Sequence, residues 1–163
     1  GSYVASNPGV ADDPLGFTFI DDKQRLARDL LEVRFMIEPQ MARMAAEHAT
    51  NDQVVFIKEL CDESERLAEA GEDYSAADTA FHNAIAESSG NLVVPRLMGV
   101  LKASVPLFID VTGKKLVEET IRTHRDVADA IASRNPTAAH DAMYLHLVYN
   151  RNMIADGTQD QSE

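Results

Sequence analysis

Apolar residues recur at three- and four-residue spacings along almost the whole chain from Asp21 onward, the periodicity of amphipathic helices. Leu26, Leu30, Val33, Ile37, Met41 and Met44 share one face of a helix from about Asp22 to Ala49. Asn51 or Asp52 caps a second helix, which carries Val55, Ile57, Leu60 and Leu67 and ends at Gly71. A third helix spans about Asp73 to Ser88, with Gly90 as its C-terminal cap. Asn91 starts a fourth through Val100 and Leu107, with Pro95 in its first turns, a kink or break at Pro106 and a stop at Gly113. The fifth covers about Lys115 to Ser133. Asn135-Pro136, a cap followed by a first-turn proline, then opens a sixth that runs to about Ala155.

Outside these segments the periodicity disappears. Pro8, Gly9, Pro14 and Gly16 break the stretch from Tyr3 to Gly16 into a linker. The polar run from Asp156 to Glu163 reads as a disordered tail. The pattern therefore divides the chain into a linker over 1–20, a helical domain over 21–155 and a tail over 156–163. No internal repeat is visible, and strand-like patterning is confined to a short stretch at the N-terminus.

A length of 163 residues suits a single domain with a proper core, and a hydrophobic fraction of 45% is ordinary for a globular protein. No run of about 18 apolar residues exists, so no membrane association is expected. The chain also lacks the charged-then-apolar pattern of a leader. Cys61 has no partner for an internal disulfide, which fits a cytoplasmic location, and it is given only a packing role. The net charge of -12 argues against gripping a phosphate backbone. The same field repels small anions, unless a divalent cation and an arginine reverse it locally.

Five polar residues interrupt the apolar faces: Arg34, Asp78, His82, His124 and His146. Burying such groups costs several kcal/mol unless something pairs with them. Together, on four different helices, they describe a polar cavity. Asp78 and His82 are four apart and share the face of Tyr74, Phe81 and Ile85. His124 is central among Val117, Ile121, Ala128 and Ile131, and His146 among Ala139, Ala142, Tyr149 and Met153. One carboxylate with three imidazoles suits a divalent transition metal: zinc first, then nickel, manganese, iron or cobalt. The competing possibility is that Asp78 and the histidines satisfy one another without a metal.

Arg34 permits two roles, a surface pair with Glu38 or Glu32 or a bidentate anchor for a ligand carboxylate. Asn91 can cap a helix or donate into the cavity. His48 and His140 lie off the buried faces, and Arg122 and Arg125 lie on solvated ones.

The runs Arg34-Phe35-Met36-Ile37-Glu38 and Ala45-Ala46-Glu47-His48-Ala49-Thr50 resemble the first helix of the ligand-binding (FCD) domain of FadR-type regulators in the GntR family. Asp78-Thr79-Ala80-Phe81-His82 followed by Ser88-Ser89-Gly90-Asn91 resembles that domain's most recognisable motif. His124 with Ala130-Ile131, and the stretch from Ala138 to His146-Leu147, continue the likeness from about Asp21 to Ile154. The resemblance implies an all-α antiparallel bundle of six or seven helices. It implies a divalent metal on Asp78, His82, His124 and His146, with a small organic acid bound against it by Arg34 and Asn91. Gly1-Ser2-Tyr3-Val4-Ala5 looks like the last wing strand of a winged helix-turn-helix module, although Gly1 and Ser2 could equally be a cloning scar.

The expected function is thus effector sensing in a transcription regulator. A small carboxylate would coordinate the metal, pair with Arg34 and shift the helices that space two DNA-binding modules in a homodimer. Operator DNA would be reached only through the missing N-terminal domain. The rival is a metal-dependent enzyme acting on small carboxylic acids through a bound water. Glu38 and Glu87 are its candidate bases by proximity alone, since the pattern places neither on a cavity face. The paired Glu-x-x-His signature of di-iron bundles is absent. A third possibility is a plain helical interaction module. The chain is expected not to be an enzyme.

Overall fold

In the computed structural model, residues 13–101 and 117–157 are described, with side chains to 154. The described residues form six α-helices and no strand: α1 (Lys23–His48), α2 (Asn51–Glu69), α3 (Ser75–Glu87), α4 (Val94–Leu101), α5 (Val117–Ala132) and α6 (Pro136–Gly157). A single 3-10 turn, Phe17–Phe19, precedes them. The expected kink at Pro106, the stop at Gly113 and the N-terminal strand lie outside the described residues.

Local chemistry sets most boundaries. Asp22 caps α1 by accepting from the Arg25 amide at 3.0 Å. The cap of α2 is Thr50, ahead of the expected Asn51 or Asp52. Its hydroxyl accepts from the Gln53 amide while the Gln53 side chain accepts from the Thr50 amide, a reciprocal capping box. Thr50→Ala is expected to cost about 1 kcal/mol in a urea titration, the typical value for losing such a cap. Asn135 accepts from the Ala138 amide at 3.1 Å to open α6. The latter runs to Gly157, two residues beyond the expected end. Asn91 accepts from the amides of Val93 and Val94, so α4 begins after it rather than at it.

The connections that matter are short. Helices α5 and α6 are joined through residues 133–135 and fold back on each other as a packed antiparallel pair, whereas α1 and α2, joined through Ala49 and Thr50, diverge, so that α2 packs on other helices. α1 packs most extensively on α6, α6 on α5, and α2 on both α3 and α5. Arg134, held at φ 57, reaches from the α5–α6 turn to the Ala49 carbonyl and to Asn51, tying the two turns together. Gly90 ends the α3 turn at φ 74, where a Cβ would sit 3.1 Å from His48 Cβ. A side chain there would be strained by the backbone conformation and would need His48 to give way by a few tenths of an ångström.

The core is built from Phe81, Met41, Ile57, Ile85, Ile131 and Met143, all fully buried, with Cys61 packed among them. The expected row of α1 holds at Leu26, Leu30 and Met41, which are buried, and at Ile37, which packs on the core, but fails at Val33. Val33 is 37% exposed and Met36 is 73% exposed, whereas Arg34 and Glu38 are buried on α1. The inward face of α1 is Leu26, Leu30, Arg34, Glu38, Met41 and Ala45. The core therefore closes over two charged residues on its longest helix.

Candidate metal centre

Three helices bring the predicted cluster together. α3 supplies Asp78 and His82 one turn apart, α5 supplies His124 and α6 supplies His146, all four buried. One nitrogen from each histidine lies within 4.8 Å of the other two. Asp78 Oδ1 is 3.1 Å from His124 Nε2 and 3.5 Å from His82 Nε2. The imidazoles crowd together at tilted and edge-on angles: ring centroids are 4.6 Å apart for His124 and His146, 5.3 Å for His82 and His124, and 5.4 Å for His82 and His146. Phe81 closes one side at 4.6 Å from the His124 ring.

Three atoms at the centre of this cluster, Asp78 Oδ1, His82 Nε2 and His124 Nε2, are buried and form no hydrogen bond. They are close enough to attract one another but wrongly aligned to donate. Buried polar atoms left in this state cost about 1–3 kcal/mol each, and in a native protein they call for an ion or water. The donor set of three imidazoles and one carboxylate therefore fits a divalent transition metal.

Around the cluster the structure adds two residues that the sequence pattern leaves out. Glu38 was placed off the cavity and, as a partner of Arg34, at the surface. It is instead fully buried, and its two oxygens are split between two partners. Oε2 accepts from Arg34 Nε at 2.5 Å, and Oε1 lies 2.6 Å from His82 Nδ1. A spacing of four from Arg34 is the signal that could have revealed it. Thr123, also buried, sets its hydroxyl 3.0 Å from His146 Nδ1. Its place on the inward row Thr123, Val127, Ile131 is the signal that marks it in the sequence.

The charges respond to this crowding. Burial would raise the Glu38 carboxyl, yet Arg34 and His82 beside it pull it down to about 2. Burial likewise raises Asp78, and the neighbouring imidazoles and Arg34 more than offset it, for a net lowering. His82 is pushed down by burial but raised to about 9 by carboxylates on both of its nitrogens. His124 falls to about 4, because burial and the nearby His82 and Arg34 charges outweigh Asp78. Burial and the same cations hold His146 well below its ordinary value. Two imidazoles are thus kept neutral, the form in which a nitrogen lone pair can bind a metal.

The remaining predicted residues lie apart. Asn91 is exposed and its Oδ1 is used to cap α4. Glu87 is exposed at the end of α3. Arg125 bridges Asp62 and Glu65 of α2, and Arg122 donates to the Tyr149 hydroxyl. A surface groove of about 690 Å³, lined by Phe35, Met36 and Arg151 among others, includes none of the cluster residues.

The fold is a helical bundle closed over a buried cluster of imidazoles and carboxylates with the donor set of a divalent metal site. The chain belongs to the FCD domain family, whose match covers residues 29–149. It is similar to the HTH-type transcriptional regulator YcbG of Bacillus subtilis strain 168, 27% identical over 133 residues, covering 81% of this chain and 56% of that protein. It is also similar to the HTH-type transcriptional repressor NanR of Salmonella newport strain SL254, 26% identical over 151 residues, covering 82% and 57%. The chain thus spans little more than half the length of these relatives. Among solved structures, Streptococcus agalactiae GntR superposes with a TM-score of 0.83 at 35% identity, covering 93% of this chain and 71% of that one. The E. coli protein McbR/YncC shares the fold, with a TM-score of 0.70 at 14% identity. YcbG and NanR are named as HTH-type transcriptional regulators, so this family lends the metal-dependent enzyme no support. No described helix is long and apolar enough to cross a membrane.

Proposed function

We propose that this chain is the effector-sensing domain of a GntR-family regulator of the FadR type. A small organic acid would bind at a divalent metal, zinc in the first instance, held by Asp78, His82, His124 and His146. The observation that carries this proposal is the trio of buried central atoms, Asp78 Oδ1, His82 Nε2 and His124 Nε2, which have no hydrogen bond. A bound metal would satisfy them and offer open coordination positions to a carboxylate.

Arg34 supports the acid's placement. It is buried, positively charged and joined through Glu38 to His82, so it is within the same polar network as the proposed metal ligands. An anion entering a chain of net charge -12 needs such a local cation. α1 carries both Arg34 and Glu38 and begins at the end that the linker would join to a DNA-binding module. A ligand shifts an equilibrium only through unequal affinity for two states. A tilt of α1 between acid-bound and acid-free arrangements would supply that inequality, and a coupling of about 1–3 kcal/mol changes operator occupancy five-fold or more. In the homodimer proposed here, that tilt would alter the spacing of the two DNA-binding modules.

The test is elemental analysis followed by a thermal-shift screen of small mono- and hydroxycarboxylic acids, each with and without chelator. One equivalent of retained metal, and acid-induced shifts that vanish on chelation, are expected. Acid shifts that survive complete removal of the metal would overturn the proposed chemistry.

A further inference from the structure

We infer that Glu38 and Thr123, neither of them a ligand, are the positioning residues of the metal site. They fix which ring nitrogen His82 and His146 present to the centre. The inference rests on the metal-site proposal above and extends it to residues outside the ligand set.

An imidazole can coordinate only through a nitrogen that carries no proton, so the hydrogen bond made by the opposite nitrogen decides which one is offered. At His82 the partner of Nδ1 is the Glu38 carboxylate at 2.6 Å. A carboxylate can only accept, so Nδ1 keeps its hydrogen whatever the charge of the ring, and Nε2 is the atom a metal would take by displacing the second proton. That Nε2 is one of the buried atoms without a hydrogen bond, 3.5 Å from Asp78 Oδ1.

At His146 the partner is a hydroxyl, which could in principle donate or accept. Thr123 resolves this through its own backbone. Its hydroxyl donates to the Glu119 carbonyl at 2.7 Å, one turn back on α5, and so has no second hydrogen to give. At 3.0 Å it can therefore only accept from His146 Nδ1, which leaves Nε2 of this ring as the coordinating atom too. Two different chemistries, a buried carboxylate on α1 and a committed hydroxyl on α5, occupy Nδ1 and so turn the same nitrogen, Nε2, to the centre on α3 and α6. Glu38 itself is held in place by Arg34, at 2.5 Å from its other oxygen. The ring orientations are thus determined before a cation arrives, which lowers the cost of assembling the site.

The experiment uses the 163-residue chain and zinc as the probe. Thr123→Val keeps the shape and removes the acceptor, Thr123→Ser restores it, and Glu38→Gln keeps an oxygen near His82 without the charge. Zinc affinity is measured by competition with a chromophoric chelator. Long-range proton–nitrogen correlation spectra of the labelled protein read the His146 tautomer directly, with and without zinc. Thr123→Val and Glu38→Gln are each expected to weaken zinc by about 10- to 100-fold, the range seen when such supporting partners are lost. Thr123→Ser is expected to recover most of the affinity, which a merely space-filling role would not require. His146 is expected to carry its hydrogen on Nδ1 in the zinc-free protein. Thr123→Val affinity within two-fold of the parent, or a zinc-free His146 protonated on Nε2, would overturn the inference. Should Glu38→Gln fail to fold, the Thr123 pair decides. A parent chain that binds no zinc would defeat the metal-site proposal instead, and the tautomer spectrum would still judge Thr123.

Discussion

Glu38→Ala is expected to lower the stability of the metal-free protein by about 3–5 kcal/mol, the cost of leaving a buried charge without its partner. For a domain of this size that is a fall in melting temperature on the order of 10 °C. The reason lies in the company Glu38 keeps. Arg34 is 2% exposed and His82 is 2% exposed, and both direct a nitrogen at the same carboxylate. Truncation leaves an arginine in the interior with its Nε partner gone, and it removes the acceptor of His82 Nδ1. Replacing Arg34 and Glu38 together by methionine is expected to recover most of the loss, because apolar side chains of similar volume can replace a buried ion pair at little net cost. Thermal and urea unfolding in excess chelator measure both variants without interference from metal. A single variant that unfolds within 1 kcal/mol of the parent would mean that Glu38 does not carry the charge balance of the interior.

His124→Ala produces the second large effect, and it is conditional. With zinc held at 1,000 times its dissociation constant, binding to the folded state alone stabilises a protein by about 4.1 kcal/mol. Removing one of four ligands should abolish most of that increment, together with the stoichiometric metal content. In excess chelator the same substitution should cost far less than it does with zinc present. His124 Nε2 makes no hydrogen bond there, and deleting it removes one of the three unsatisfied buried atoms. The diagnostic is therefore the difference between two melting curves, with and without zinc. A penalty of equal size in both conditions would make His124 a packing residue against Phe81 and not a ligand.

Much of the fold could be read from spacing alone. The helix ends at Asp22 and Asn135 follow from side chains that accept backbone amides, and the stop at Gly90 from a positive φ. The four cluster residues were also legible, because a histidine or aspartate in the middle of an apolar row stands out against its neighbours. Asp78, His82, His124 and His146 are all buried and meet at one point. The face of α1 was harder to read. Val33 and Ile37 suggested one row, whereas Arg34 and Glu38 occupy the row that faces α3 and α6. Hydrophobicity favours burying valine over glutamate, and so it misplaces Val33 and Glu38 where an ion pair is buried as a unit.

Local periodicity by itself determined that the described residues are helical, where most of their helices end, and which five polar side chains interrupt the apolar faces. Contacts between distant segments alone decided the exposure of Val33, the burial of Glu38 between Arg34 and His82, and the placing of the Thr123 hydroxyl against His146. The physical reason is range. Caps and apolar rows act within about one helical turn, whereas the charge balance of an interior depends on residues 44 positions apart, as Glu38 and His82 are.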